Sequence, residues 1–359
     1  MKKLLSIVLA LALVLGCTAA MAEDGMYISV ISKGEQHAFW QAVRKGCEDA
    51  AADYGVDMYY YGPPSESDIP LQVEALKSEM AKNPAALALA ALSTDSVMTE
   101  LQECLDKNIP VIGFDSGVPN APEGAIKATA STNNQSAAGL AAEEMLKLEG
   151  FADKLAAATP ESPVVIAVLS QDATSESVTG RTTGFVNKMK ELASEYGTVA
   201  VQGHELWAEP AENASIIIHT EISATTSMTD ITNAANAVLN LEGLIAVFCS
   251  NEGTVSGILA ATADGSDLAD GARFGDLVVA GFDAGAPQKN AVRQGWFVGS
   301  VTQDPYRIGY LAIELAVKAA NGEEVSDVDT GAQWYTAENI DDPDIALLCT
   351  TNPARLRLS

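Results

Sequence analysis

Short apolar runs alternate with segments of helical periodicity along the chain. In the first third, four runs are predicted to be strands, at residues 26–32, 57–61, 85–92 and 110–114. Three segments with helical spacing follow the first three of these strands, at residues 39–54, 72–82 and 97–107. Continuous apolar strands joined by helices are typical of a parallel sheet that is covered on both faces.

The same alternation begins again at residue 163, after an Ala/Pro-rich stretch at 156–163. A helix is predicted at 177–196, and strands at 198–206, 244–249 and 278–282. A chain of 359 residues is long enough for two domains. The pattern therefore predicts an α/β protein made of two doubly wound parallel-sheet lobes.

A weak internal repeat supports the division into two lobes. In each half a predicted strand ends in a polar segment, A-L-S-T-D-S or F-C-S-N-E-G, and the next strand ends in G-F-D-S-G or G-F-D-A-G. The polar serine and the aspartate are 22 residues apart in the first half, at Ser93 and Asp115, and 33 apart in the second, at Ser250 and Asp283. A surface loop at 263–273 accounts for the difference.

The N-terminal residues 1–22 have the features of an export signal. Two lysines precede an apolar run that is too short for a good bilayer span, and Ala20-Met21-Ala22 forms an A-x-A cleavage site. The sequence V-L-G-C ending at Cys17 offers lipidation of that cysteine as an alternative. We favour release at the A-x-A site, and either route places the protein outside the cytoplasm.

The net charge argues against two kinds of partner, and the cysteine spacing argues against metal and redox motifs. The formal charge of −27 argues against nucleic acid and anionic lipid as partners. After the export signal four cysteines remain, and none is in a C-x-x-C pair, so no metal, redox motif or cofactor is expected: Cys47, Cys104, Cys249 and Cys349. Cys249 lies in an apolar run and is expected to be a small buried hydrophobe, whereas pairing among the others is left open.

Aromatic and polar residues gather just past the predicted strands, where open parallel sheets bind their ligands. A sugar needs aromatic walls for its C–H faces and planar polar groups for its hydroxyls. The candidate walls are Phe39, Trp40 and Phe282. The candidate polar groups are His37, Asp115, Arg181, Asn251, Asp283 and Gln303.

Structural alternatives exist for five of these residues. Phe39 and Trp40 could pack the first helix onto the sheet, Asp115 and Asp283 could be turn residues, and Arg181 could be a solvated helix residue. No G-x-S-x-G, Walker, H-E-x-x-H or Rossmann motif is present, so an enzyme is not expected. A glycosidase that uses the two aspartates is the remaining catalytic alternative.

The chain resembles the ribose-type periplasmic sugar-binding proteins of ABC importers. Five local matches carry the resemblance: H-A-F-W-Q-A-V-R-K-G, P-V-I-G-F-D-S-G, T-N-N-Q-S-A-A-G-L-A-A-E, G-R-T-T-G-F, and V-F-C-S-N-E taken together with V-V-A-G-F-D and V-T-Q-D-P. The resemblance implies that the ligand is bound by His37, Phe39, Trp40, Asp115, Ser116, Thr132, Arg181, Asn251, Phe282, Asp283 and Gln303. The chain departs from the family at His37, where an Asn is usual, at Ser116, where an Arg is frequent, in the divergent segment 203–226, and in its longer tail from residue 331.

The resemblance also implies an architecture and a mechanism. Three crossings near 132–134, 303–304 and 321–328 would form a hinge between an N-terminal lobe (24–132 plus 304–322) and a C-terminal lobe (133–303 plus 328–359). A monomer would close on a monosaccharide-type ligand and deliver it to the membrane permease of an ABC importer. The alternatives are a ligand sensor for a membrane receptor, and a nucleoside, inositol or furanone signal as the ligand. The effector domain of a lactose-repressor-type regulator shares the fold, but the export signal and the missing helix-turn-helix argue against it.

Overall fold

The computed structural model describes residues 25–348, which form two β-sheets flanked by helices. The first sheet has the strand order β12-β5-β4-β3-β1-β2, and all its strand pairs are parallel. Its strands are β1 (Tyr27–Ile31), β2 (Asp57–Tyr61), β3 (Ala86–Leu89), β4 (Val111–Phe114), β5 (Ile126–Ser131) and β12 (Val328–Asp329). Its helices are α1 (Ala38–Tyr54), α2 (Ile69–Met80), α3 (Met98–Asp106) and α10 (Pro305–Ala320).

The second sheet has the order β13-β11-β10-β9-β6-β8-β7, with only the β11–β13 pair antiparallel. Its strands are β6 (Val164–Ser170), β7 (Val199–Gly203), β8 (Ile216–Ile222), β9 (Leu244–Cys249), β10 (Val278–Phe282), β11 (Gly299–Thr302) and β13 (Gln333–Tyr335). Its helices are α4 (Asn134–Leu146), α5 (Phe151–Ala156), α6 (Glu176–Ala193), α7 (Met228–Leu239), α8 (Glu252–Ala261), α9 (Ala286–Arg293) and α11 (Pro343–Leu348), with a short 3₁₀ helix at Ser266–Leu268. The predicted α/β class with two parallel-sheet lobes is confirmed.

Apolar strands buried on both faces build the core of each lobe. Every residue of β3 and β4 is buried, and so are all but the first of β10. Helices pack on both sides of each sheet, and the buried apolar residues form two clusters in each lobe. Polar side chains that follow these strands are therefore held at the sheet edges by a rigid core.

The chain passes between the two sheets after β5, after β11 and after β12. At this hinge Thr132 Oγ1 lies 3.3 Å from Thr330 Oγ1, and the Asn133 N–H donates to Asp329 Oδ1 at 3.1 Å. The structure corrects one expectation, the place of residue 328 in the C-terminal lobe. Val328 pairs with Ala130 of β5, so β12 belongs to the first sheet and the last crossing follows it.

The three cysteines within residues 25–348 are Cys47, Cys104 and Cys249, and all are buried free thiols. Cys249 is fully buried in an apolar cluster, as predicted. The predicted export signal, Cys17 and Cys349 lie outside the described residues. Between residues 25 and 348, no helix is both long and apolar enough to span a bilayer.

Candidate ligand-binding site

Two aspartates occupy equivalent positions at the ends of β4 and β10. Both adopt the left-handed backbone conformation, with φ of 55° at Asp115 and 77° at Asp283. The N–H of Asp115 donates to the Ala130 carbonyl at 3.0 Å, and that of Asp283 donates to the Val301 carbonyl at 2.7 Å. Non-glycine residues rarely adopt this conformation, and such residues cluster at functional sites. The shared geometry agrees with the internal repeat seen in the sequence.

Arg181 of α6 lies between these two aspartates and is almost fully buried. Its Nε donates to Asn134 Oδ1 at 2.9 Å, and its Nη1 donates to the Ser250 carbonyl at 3.2 Å. The guanidinium is 3.7 Å from the Asp283 carboxylate and 4.0 Å from the Asp115 carboxylate. It therefore joins carboxylates from both lobes, which a solvated helix residue could not do.

Phe282 lies under the guanidinium, with the Arg181 Cζ 4.0 Å from the ring centroid. The ring is fully buried among apolar residues of the second lobe, so it does not form a wall of the cavity. Phe282 supports Arg181 by a cation–π contact instead.

Lys33, one residue past the Ser32 that follows β1, was not identified from the sequence. Its Nζ donates to Ser177 Oγ at 3.1 Å and to Ser175 Oγ at 3.4 Å, both at the start of α6 in the opposite lobe. It also lies 3.8 Å from the Asp115 carboxylate and 3.9 Å from that of Glu66. A lysine so close to the end of an apolar strand was the available signal.

Glu66, in the loop between β2 and α2, was also missed. It accepts hydrogen bonds from Trp40 Nε1 at 2.8 Å and from Gln171 Nε2 of the second lobe at 3.0 Å. Burial raises the pKa of Glu66, but Lys33, His37 and these two hydrogen bonds outweigh burial and hold that pKa below its usual value. His37 Nε2 lies 3.8 Å from the carboxylate. The loop sequence S-E-S-D gave no hint of this role.

The aromatic pair at the start of α1 has two different roles. Trp40 is buried in the core of the first lobe, edge-to-face with Phe39 at 5.0 Å and with Phe114 at 6.4 Å. Phe39 is half-buried and faces the second lobe. Helix packing and ligand contact are thus compatible, because Trp40 belongs to the core and also lines the cavity.

Asn251 caps α8 and also contacts the cavity. Its Oδ1 accepts from the Thr254 N–H at 3.0 Å, and its Nδ2 donates to Gln171 Oε1 at 2.7 Å. The cap satisfies a free N–H of the helix and fixes the amide in place. The side chain is therefore both a turn element and a rigid polar group at the site.

The next residue, Glu252, reaches across to the first lobe. Its carboxylate oxygens lie 3.4 Å from the N–H groups of Ala38 and Phe39, at the N-terminus of α1. Burial raises the pKa of Glu252, and the nearby charge of Asp283 raises it further. His37 and the two N–H groups lower this pKa, but the net shift is upward. This residue was not identified from the sequence.

Gln303 completes the second-lobe side, donating from Nε2 to Asp283 Oδ1 at 2.8 Å. Two of the predicted residues lie away from the cavity. Ser116 accepts a hydrogen bond from the Ser177 N–H at 3.3 Å, and Thr132 belongs to the hinge. Their hydroxyls make contacts between segments of the protein.

Side chains from both lobes thus line one cavity. Its lining residues are Lys33, His37, Phe39, Trp40, Glu66, Asp115, Val178, Arg181, Asn251, Glu252, Asp283 and Gln303. Eight of the eleven predicted residues are among them, and Ser116, Thr132 and Phe282 are not. The arrangement is a polar cleft between two lobes, closed by hydrogen bonds that cross it.

Comparison with known proteins agrees with this geometry. The model of the periplasmic binding protein domain matches residues 28–324, which is most of the chain. The chain belongs to this family. Its members are solute-binding transport proteins rather than enzymes, and the family implies an extracytoplasmic location.

Three relatives illustrate the range of this periplasmic binding protein's neighbours. A solved "ABC transporter, LacI family transcriptional regulator" from Brachyspira murdochii is 40% identical, with a TM-score of 0.75 over 91% of this chain and 99% of that one. A carbohydrate transporter solute-binding protein from Agrobacterium radiobacter in complex with D-arabinose is 25% identical, with a TM-score of 0.74 over 92% and 100%. The D-allose-binding periplasmic protein of Escherichia coli (strain K12) is 24% identical over 316 residues, 87% of this chain and 90% of that protein.

No group of three or more histidines, cysteines or carboxylates within residues 25–348 is arranged to hold a metal ion. The charged groups of the cleft instead pair with one another and with amides. The periplasmic binding protein therefore offers a ligand hydrogen bonds and charge from its own side chains.

Asp115 gives the stability of the ligand-free protein a measurable pH dependence. Burial raises the pKa of Asp115 to about 6, helped by Glu66 and Asp283 and opposed by Lys33 and Arg181. Between pH 4 and 6 the folded protein therefore holds a proton on Asp115 that the unfolded chain releases. The free energy of unfolding consequently falls as the pH rises through this window.

We expect the Asp115→Asn variant, which is neutral at every pH, to lack this decline. Relative to wild type, its free energy of unfolding is expected to increase by about 3 kcal/mol between pH 4 and pH 7. Urea unfolding of the ligand-free proteins at unit pH steps measures this. Asp264→Asn is the matched control, because Asp264 is exposed and has a similar φ of 55°. Parallel pH profiles for Asp115→Asn and wild type would contradict the assignment.

Proposed function

We propose that this periplasmic binding protein captures a monosaccharide-type ligand between its lobes and delivers it to the permease of an ABC importer. One observation carries the proposal. Asp115 Oδ1 and Gln303 Oε1 are buried in the cavity wall and have no hydrogen-bond partner among residues 25–348. Buried acceptors without partners are costly, so a ligand that donates to them would be strongly favoured.

The chemistry of the wall suits a sugar. Arg181 and the two strand-end aspartates are planar groups that can pair with neighbouring hydroxyls, and Phe39 offers an apolar surface to C–H groups. Relatives of similar fold bind D-arabinose and D-allose, which supports a monosaccharide as the ligand here.

Closure of the lobes on the ligand is part of the proposal. Several contacts already cross the cleft, among them those from Lys33 to Ser177, from Gln171 to Glu66, and from the Phe39 N–H to Glu252. Each partner of these pairs belongs to a different lobe, so opening the cleft breaks all three. The cavity has a volume of about 20 Å³, close to the room that one water needs. A ligand that contacts both lobes would therefore shift the population toward a closed state that is somewhat wider than this one.

The route to the cell exterior is proposed from the sequence. The signal at 1–22 would export the chain, with cleavage after Ala22 or, alternatively, lipidation of Cys17. The protein would act as a monomer, and its charge of −27 disfavours nucleic acid as a partner. A sensor that presents its ligand to a membrane receptor is the alternative with the same fold, and a nucleoside, inositol or furanone is the alternative ligand.

A thermal-shift screen of the mature protein, stripped of bound ligand by unfolding and refolding, tests the proposal. The panel contains pentoses, hexoses, inositols and nucleosides. A ligand at about 100 times its dissociation constant adds about 2.7 kcal/mol, which raises Tm by several degrees.

Two variants locate the site in the same screen. Asp283→Asn should lose the ligand-induced shift, since it removes the carboxylate but keeps a residue that tolerates the φ of 77°. Asp264→Asn should keep the shift. No response across the whole panel, or an undiminished response in Asp283→Asn, would refute the sugar site.

A further inference from the structure

Carboxylates outnumber cations in the cavity. Four acidic side chains line it against two fixed cations and one histidine: Glu66, Asp115, Glu252, Asp283, Lys33, Arg181 and His37. A neutral sugar needs hydrogen-bonding groups but no excess of either charge. Burying unbalanced like charges is costly, so the surplus calls for a partner.

The two cations are already shared among three of the carboxylates. Lys33 lies between Asp115 and Glu66, and Arg181 lies between Asp115 and Asp283. Glu252 meets neither cation within ion-pair distance, and its carboxylate has two backbone N–H contacts, each 3.4 Å long. Lys289 lines an adjoining pocket together with Glu252 and does not line the cavity itself.

The unsatisfied polar atoms of the cavity wall point the same way. Both Asp115 Oδ1 and Gln303 Oε1 are acceptors, in side chains that are 2% and 1% exposed. The buried amide Nδ2 of Asn134 also has no partner, but Asn134 lines a groove on the hinge side and not this cavity. The unpartnered buried atoms of this wall are thus both acceptors, which call for donors from the ligand. A sugar hydroxyl supplies one donor, but it also brings lone pairs that accept from donors of the protein.

We propose that the ligand is a cationic sugar, an amino sugar or amino polyol whose ammonium group neutralises the surplus carboxylate charge. An ammonium has three donors and no acceptor, which matches the two buried acceptors without partners, Asp115 Oδ1 and Gln303 Oε1. This inference rests on the proposed function, because it names the class of sugar for the same site. The acidic surface, with a formal charge of −27, would also attract a cationic ligand.

The pKa shifts of two carboxylates of the cavity support the inference. Burial raises the pKa of Asp115 and that of Glu252, even though Lys33, Arg181 and His37 oppose it. Without ligand, a proton relieves part of the negative charge. A bound ammonium would take the place of that proton and keep both carboxylates ionised.

Calorimetry of the stripped mature protein at pH 7 tests the inference. The probes are D-glucosamine, D-galactosamine and D-mannosamine, each compared with its neutral parent hexose and its N-acetyl derivative. We expect at least one amine to bind at least tenfold more tightly than both neutral forms, a difference of about 1.4 kcal/mol.

Variants assign the preference to the carboxylates. Glu252→Gln and, independently, Asp115→Asn should each reduce the amine-to-parent affinity ratio at least threefold, and Glu212→Gln, at an exposed position, should leave it unchanged. Two variants are used so that a folding defect in one does not remove the test.

The outcomes separate the two proposals. A neutral hexose that binds as tightly as its amine, or an amine preference unaffected by either variant, overturns the cationic-ligand inference and leaves the sugar-binding function in place. No binding of any sugar, amino or neutral, here and in the wider thermal-shift panel overturns the proposed function and the inference together.

Discussion

Replacing Arg181 by methionine is expected to abolish ligand binding and to lower the free energy of unfolding by about 3 kcal/mol. The guanidinium is the buried cation that contacts aspartates of both lobes, at 3.7 Å from Asp283 and 4.0 Å from Asp115. Methionine fills a similar volume but carries no charge, so the two carboxylates lose the cation that lies between them. It also leaves the Ser250 carbonyl without the donor at 3.2 Å.

The matched control is Arg293→Met. Arg293 pairs with Asp341 at 2.7 Å, but both side chains are largely exposed, and such pairs contribute about 0–1 kcal/mol. Urea unfolding at pH 7, and calorimetry with the sugar that gives the largest thermal shift, measure the two effects. If Arg181→Met unfolded at the same urea concentration as Arg293→Met and still bound the sugar, Arg181 could not hold the site together.

The strand-end aspartates could be predicted from the sequence because two local signals coincide there. Asp115 and Asp283 each follow a fully apolar strand, and each occurs in G-F-D-x-G. The apolar run predicts the end of a strand at the sheet edge, and the Asp next to the glycine predicts a turn there. The parallel sheet then brings such residues to one edge, independently of the length and conformation of the loops. Asn251 was found for the same reason, at the start of the helix that follows β9. Arg181 lies in the second turn of α6 and was found through the resemblance carried by G-R-T-T-G-F.

The side chains that cross the cleft could not be predicted in this way. Lys33, Glu66 and Glu252 owe their roles to partners 144, 105 and 213 residues away in sequence. No local pattern encodes the approach of two lobes, since it depends on the hinge geometry. Phe282 is the opposite case, a residue that was predicted to line the site but does not line the cavity. It is the last residue of β10, and the alternation of side chains along this strand points its ring into the core.

The divergent segment 203–226 also contained regular structure that was not recognised. The run I-I-I-H-T-E-I forms β8, an internal strand between β6 and β7. Its apolar half resembles other buried strands, but the polar half His219–Glu221 obscured the pattern. In the fold this half lies toward the end of the strand, where His219 and Glu221 are half-buried and Thr220 is buried.

The second large effect is expected from Gly309→Ala, which should lower the free energy of unfolding by about 3 kcal/mol or more. Helices α1 and α10 cross so closely that a methyl group at Gly309 would overlap the backbone carbonyl of Val43. A backbone atom cannot move aside as a flexible side chain can, so the two helices would have to separate. Gly46 of α1 meets the carbonyl of Tyr306 in the same way, so glycines from both helices form this contact.

Gly139→Ala in helix α4 is the matched control. A methyl group there would lie 3.5 Å from Lys188 Cβ, an ordinary contact, and should stabilise the helix by about 0.5–1 kcal/mol. Urea unfolding measures both variants, and equal midpoints would contradict the argument.

The same displacement should weaken sugar binding, because the two helices begin at the site. Helix α1 begins at Ala38, whose N–H faces Glu252, and α10 begins two residues after Gln303. Separating them moves a first-lobe wall of the cavity away from the second lobe. A variant that lost stability but bound the sugar with wild-type affinity would show that the position of the start of α1 does not determine the shape of the cavity. It would also argue against Phe39 as a residue that contacts the sugar.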